Sequence, residues 1–234
     1  MTQWARFSRS TSSTTSRATS TGPAATSLAD TFAQLDGLRW KIWTLNEETG
    51  EAGGIFLFDD EPSRQGYLDG LYAEVIGGNP AFHDSVIKKF DVIEDATQVT
   101  HGPVGTVMAD VSGPVGKVLQ IHFQYDITSD EYRAAATSLA DTFAQLDGLR
   151  WKIWTLNEET GEAGGIFLFD DEPSRQGYLD GLYAEVRQSG FRLVIKKFDV
   201  IETPPGTHGP VGTLVNAVLV TSISFESLSG GCHG

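Results

Sequence analysis

LRWKIWTLNEETGEAGGIFLF occupies Leu38–Phe58 and recurs, letter for letter, at Leu149–Phe169. LRWKIWTL and AGGIFLF are rich in β-branched, aromatic and aliphatic residues, and NEETGE between them has turn chemistry. The stretch therefore predicts a β-hairpin, present twice. Gly53 and Gly54, like Gly164 and Gly165, fall inside a strand, where glycine usually marks a bulge or the close approach of a backbone or ligand.

The repeat is wider than the hairpin. Ala24–Val75 equals Ala135–Val186 without a change, VIKKFDVIE stands at Val86–Glu94 and Val194–Glu202, and HGPVGT begins at His101 and His208. The period far exceeds the 20–50 residues of solenoid repeats, so each copy reads as a small domain. A chain of 234 residues, 40% of them hydrophobic, can build two cores of about 100 residues each.

Around the second hairpin the remaining elements can be read in order. In KVLQIHFQY, Leu119, Ile121, Phe123 and Tyr125 alternate with Val118, Gln120, His122 and Gln124, a strand period. Ser129 suits an N-cap, Tyr132, Ala136, Leu139, Phe143 and Leu146 follow at helical spacing, and Gly148 closes that helix. Asp171 and Pro173 open a second helix expected to run through Val186, and VIKKFDVIE is the last strand. The order β-α-β-β-α-β is that of a ferredoxin-like unit. Such a sheet carries its helices on one face and needs cover for the other, which a second sheet supplies.

Copy one lacks the opening strand. Codons for Pro114–Arg133 read one nucleotide later can spell QWARFSRSTSSTTSRATSTG, residues 3–22, so copy one begins as a frame-shifted version of the segment that opens copy two. RQSGFRL at Arg187–Leu193 stands where copy one has IGGNPAFHDS and reads as a similar slip. Residues 1–22 are expected to be a disordered tail, although their Arg, Ser and Thr content also imitates a transit peptide. The expected organisation is a first unit at 23–106, a linker at 107–116, a second unit at 117–213, and a C-terminal strand and Gly-rich tail at 214–234. AVLVTSISF (Ala217–Phe225) has the strand content that the N-terminus lost. It is expected to pair with the copy-one sheet, while Lys117–Tyr125 serves copy two; the alternative exchanges the two strands.

A net charge of −14 argues against nucleic acid and anionic membrane surfaces as partners. A single cysteine, Cys232, gives no disulfide framework, and no apolar run approaches a membrane span, so a soluble cytoplasmic protein is expected. His83, His101, His208 and His233 fall in expected loops or the tail without metal-ligand spacing. GEAGG precedes a strand rather than a helix, unlike a dinucleotide fingerprint, and no G-x-S-x-G elbow occurs. Glu51 and Glu162, at the far end of the hairpins, read as ion-pair partners of Lys41 and Lys152 in preference to acid catalysts. His122, mid-strand between Gln120 and Gln124, is the candidate general base, since an imidazole near neutrality can deprotonate a phenol or quinol. The competing reading is a hydrogen-bonded core histidine. Trp40, Trp43, Trp151 and Trp154 are candidate walls of an aromatic pocket, and Tyr67 and Tyr178 candidate hydroxyl donors to it; core packing is the alternative for each.

VLQIHFQY, LRWKIWTLNEETGEAGGIFLFDDEPSRQGYL and VIKKFDVIE together resemble the YdhR-like monooxygenases of the dimeric α+β barrel superfamily. Copy two carries the resemblance from Val118 to Glu202, apart from Arg187–Leu193; copy one carries it from about Ala24 to Glu94. The resemblance implies an α+β fold in which two ferredoxin-like βαββαβ units pack sheet to sheet as a pseudo-dimeric barrel within one chain, with homo-oligomers also open. It implies a ligand pocket between sheet and helices, with Gln120, the four tryptophans and the two tyrosines as substrate-binding candidates and His122 as the catalytic one. The implied activity is monooxygenation of a small aromatic by O2, with no cofactor and no metal. Alternatives are a non-catalytic small-molecule binding module, or a rearranged duplication that keeps the fold without the activity.

Overall fold

Both copies of the hairpin fold alike. β1 (Leu38–Asn46) pairs antiparallel with β2 (Glu51–Phe58), and β5 (Leu149–Asn157) with β6 (Glu162–Phe169). Asn46 Oδ1 closes the first turn by accepting from Glu48 N (3.0 Å) and Thr49 N (3.1 Å), and Asn157 Oδ1 takes Thr160 N (3.0 Å) in the second. Gly50 and Gly161 follow at φ +68° and +64°, a left-handed conformation costly for residues with a Cβ. These hairpins belong to a computed structural model that describes residues 31–78, 83–104, 116–184, 193–200 and 217–224. The expectations for the 1–22 tail, the start of the copy-one helix, the 107–116 linker, RQSGFRL, His208, Cys232 and His233 lie outside these residues.

The other elements are α1 (Glu61–Tyr67), continued by wider turns over Leu68–Gly77, β3 (His83–Val92), α2 (Glu94–Val99), β4 (Lys117–Gln124), α3 (Ser129–Ala144), α4 (Glu172–Asp180), β7 (Leu193–Val200) and β8 (Ala217–Ser224). Four details correct the sequence reading. Thr128, not Ser129, caps α3: its Oγ1 accepts from Glu131 N (3.2 Å) while the Glu131 carboxylate takes Thr128 N (2.8 Å). That helix ends at Ala144, so Gly148 (φ +69°) belongs to the following turn. The second helix is broken at Gly181, which at φ −95° and ψ −109° leaves the helical region, and Leu182–Ala184 are helical again beyond it. His83 begins β3 instead of lying in a loop.

The eight strands close into a barrel in the order β1-β2-β8-β3-β5-β6-β4-β7. Two four-stranded sets of one pattern lie within it, β1-β2-β8-β3 and β5-β6-β4-β7. β8 lies between β2 and β3, as β4 lies between β6 and β7, so the C-terminal strand fills the place whose strand copy one lost. Ala217 pairs with Phe58 as Lys117 pairs with Phe169, which puts Ser222 in the register position held by His122 in the other set.

The sets join through two short pairings, β1 with β7 and β3 with β5. Reciprocal contacts reinforce both joints. Lys88 pairs with Glu162 and Lys196 with Glu51; Asn46 Nδ2 donates to Lys197 O (3.0 Å) and Asn157 Nδ2 to Lys89 O (2.8 Å). Each contact has its counterpart with the copies exchanged, the signature of a two-fold interface. Glu51 and Glu162 thus take lysines of the opposite copy, not Lys41 and Lys152 as expected.

Where β3 stops pairing, the segment after it covers the edge of β5. Ile93 N donates to Trp154 O (2.9 Å), Lys152 N to Thr100 O (3.0 Å), and Trp154 N to Thr97 Oγ1 (3.0 Å). An exposed edge is an aggregation hazard, and this segment removes it.

Strand alternation then sorts the side chains into two environments. Trp40, Ile42, Ile55, Leu57, Phe90, Val118, Trp151, Ile153, Ile166, Leu168 and Phe198, drawn from both sets, form one cluster inside the barrel. Leu119, Ile121, Trp154 and Phe167 pack instead under α3 and α4 with Tyr132, Phe143 and Tyr178, and Phe32, Phe56, Phe58 and Tyr67 form the corresponding cluster of the first set. Arg175 fastens α4 to the sheet, its Nη1 donating to Val118 O (2.8 Å) and Phe198 O (2.9 Å); Arg64 of α1 donates to Phe90 O (3.0 Å).

Candidate active site

His122 and Gln120 lie on the barrel side of β4, at 3% and 4% exposure. Both faces of this strand are buried, one by the helices and the other by the opposite sheet. The Gln120 amide nitrogen meets His122 Nε2. The imidazole stacks on Phe90 of the opposite set, with centroids 4.8 Å apart and planes 14° from parallel. Burial, and then the charges of Lys88 and Lys196 against the opposing influence of Glu162, depress its pKa to about 4. It is therefore uncharged at neutral pH.

Several polar atoms on this side have no hydrogen-bond partner among the described residues: His122 Nδ1, Gln120 Oε1, Trp151 Nε1, Thr44 Oγ1 and Thr155 Oγ1. Thr155 and His122 both pair with Gly164, from opposite sides, so the two side chains share a face and flank a residue with none. A Cβ at Gly164 would stand 1.9 Å from Ile121 O, so the glycine is what lets β4 approach. Unsatisfied buried polar groups are rare enough to require an explanation, and several on one face suggest a polar occupant.

The remaining site candidates divide by strand parity. Trp40 and Trp151 share the barrel interior with His122, and Trp40 Nε1 donates to Pro103 O (3.0 Å). Trp154 and Tyr178 lie on the helix side of the second set; Trp43 and Tyr67 lie on that of the first. Residues three apart on a strand face opposite ways, so Trp151 and Trp154 do not wall one pocket. Burial, followed by the neighbouring Tyr183 and Tyr72 respectively, pushes the Tyr178 and Tyr67 hydroxyls far above the usual phenol range, which keeps both protonated.

Two residues that the sequence reading treated only as ion-pair partners stand out on the helix side. Lys152 Nζ lies 2.9 Å from the centroid of the Trp154 ring and 3.4 Å from that of Phe143. Lys41 Nζ lies 3.1 Å from that of Trp43 and 3.3 Å from that of Phe32. Both lysines are buried, and burial holds both amines well below the ordinary lysine pKa. The signal was present in WKIW: alternation puts the lysine on the face of the second tryptophan. Gly165 and Gly54 make the room, since a Cβ at either would meet the lysine Cε at 2.9 Å.

Among the described residues no cluster of three His, Cys, Asp or Glu side chains is arranged to hold a metal, and no helix is long and apolar enough to cross a membrane. The family described as "Putative mono-oxygenase ydhR" matches the chain over residues 10–103 and again over 118–208. No curated protein matches it.

Proposed function

We propose a function from one premise: the chain belongs to the ydhR mono-oxygenase family. The reading is a cofactor-independent monooxygenase that acts on a small phenol- or quinol-like aromatic, in a fused pair of ferredoxin-like units that form an intramolecular pseudo-dimer. We site the reaction on the barrel side of β4, which His122 and Gln120 face. The observation that carries this is the pair of buried, unpartnered atoms His122 Nδ1 and Gln120 Oε1 beside the Phe90 ring. A ring hydroxyl can both donate and accept there, and the ring itself can stack.

Proton transfer needs Nδ1 free of hydrogen. A half-turn of the Gln120 amide, about a torsion that is broad and roughly two-fold, presents Oε1 to Nε2–H and leaves Nδ1 as the acceptor. The substrate hydroxyl then loses its proton to Nδ1, and the electron-rich ring anion reduces O2. For a phenol with a free para C–H, one oxygen atom enters that carbon, the other leaves as water, and the product is a para-quinone. Ser222 holds the His122 register position in the other set, so one such site per chain is expected.

The depressed basicity of His122 favours a second reading, a binding module without turnover. Between a phenol near 10 and an imidazole near 4, proton transfer costs about 8 kcal/mol before the ion pair is stabilised. Oxygen uptake with a panel of phenols and quinols separates the two. Turnover lost in His122→Ala supports the monooxygenase. Thermal stabilisation by the same compounds without oxygen uptake supports the binding module.

A further inference from the structure

The seven lysines of the chain fall into two kinds. Five place Nζ on a side-chain oxygen: Lys88 on Glu162, Lys196 on Glu51, Lys89 on Gln65 (2.7 Å), Lys117 on Asp199 (2.7 Å) and Lys197 on Gln176 (2.8 Å). Lys152 and Lys41 place it on aromatic faces instead. Three ring faces surround each Nζ and can hold a cation, at about 2 kcal/mol for a desolvated contact, while burying an ammonium costs several. Burial lowers both amines well below the ordinary lysine value and so shifts them toward the neutral, nucleophilic form. Trp154 Nε1, on the ring against which Lys152 Nζ packs, is buried and without a partner among the described residues, and Trp43 Nε1 repeats this in the first set.

We propose that Lys152, with Lys41 as its counterpart in the other set, is an amine site for small aldehydes, forming an imine among the surrounding rings. The amine nitrogen attacks the carbonyl carbon, and the carbonyl oxygen takes up the amine proton to give a carbinolamine. Loss of that oxygen as water leaves the C=N bond, with no oxidant or reductant consumed. The apolar surroundings select this electrophile, because an imine is neutral, whereas the carbamate formed with carbon dioxide is an anion that burial opposes. This site lies on the opposite face of the sheet from His122, so it stands or falls independently of the monooxygenase reading.

The test is reductive trapping of the intact chain with acetaldehyde and cyanoborohydride at pH 7, located by peptide mass spectrometry. The proposal expects the ethyl adduct on Lys152 and Lys41 to form at least tenfold faster than on the other five lysines, and the preference to disappear in concentrated urea. Lys152→Met should lose only its own adduct and keep that on Lys41, which shows that the variant still folds. Labelling that follows solvent exposure, or that leaves Lys152 and Lys41 unmodified in the folded chain, overturns the proposal.

Discussion

Replacing both Lys41 and Lys152 by methionine should change how stability depends on pH. Burial holds both amines well below the ordinary lysine value in the folded chain, while the unfolded chain restores it to near 10.5. Between those limits the unfolded state binds a proton that the folded state does not. The sign is therefore fixed: stability rises with pH across this window and levels off as pH passes the unfolded value. Each group contributes a slope of about 1.4 kcal/mol per pH unit, so the pair gives about 3 kcal/mol per unit. Urea unfolding at pH 7, 8 and 9 measures this below the range where tyrosines ionise. The wild type should gain stability at each step. The double methionine variant, which fills the same apolar surroundings without an ionisable group, should be flat and at least as stable at pH 7. A flat wild-type profile, together with a variant weaker by about 2 kcal/mol, would mean that the rings hold ammonium ions, and the reasoning would be refuted.

Three further outcomes are expected. Between pH 6.5 and about 4 the unfolded chain protonates His122 before the folded one does, so about 3 kcal/mol should be lost as pH falls through that window; denaturation of His122→Gln should show that loss removed. Gly164→Ala, whose methyl would meet Ile121 O, should cost about 3 kcal/mol or more, whereas Gly177→Ala in α4, with open space around it, should stabilise by about 0.5–1 kcal/mol in thermal melts. Truncation after Gly212 removes β8 and leaves β2 and β3 without the strand between them, so light scattering should report aggregation, and an unchanged soluble melt would contradict the pairing.

Much of the fold was legible because it depends on local pattern. The hairpins, the strand period of Lys117–Tyr125 and the helix start at Asp171 follow from residue type and spacing alone. The pairing of Ala217–Ser224 with the copy-one sheet followed from counting strands against vacancies. The site was less legible because its composition is set by closure. Alternation separates Leu119 and Ile121 from Gln120 and His122, and a covering second sheet was expected, but which side chains that sheet would bring against each face was not readable. Bringing His122 against Phe90, or Lys88 against Glu162, requires a strand from the other copy, which no periodicity encodes. The lysine of WKIW was readable by parity, but expectation assigned its charge to a glutamate. The Arg175 clamp on Val118 and Phe198 joins segments far apart in sequence and had no signal beyond an arginine in an amphipathic helix.

The central claim is one ligand site per chain, at His122, and nitrogen-resolved NMR of the histidine rings during titration with a phenol tests it most directly. The chain has five histidines, so the signals can be assigned by substitution. The account predicts that His122 is neutral at pH 6 without ligand, that its ring signals alone move on addition of phenol, and that they saturate at one equivalent. Movement of no histidine when phenol binds, or saturation at two equivalents, would contradict it.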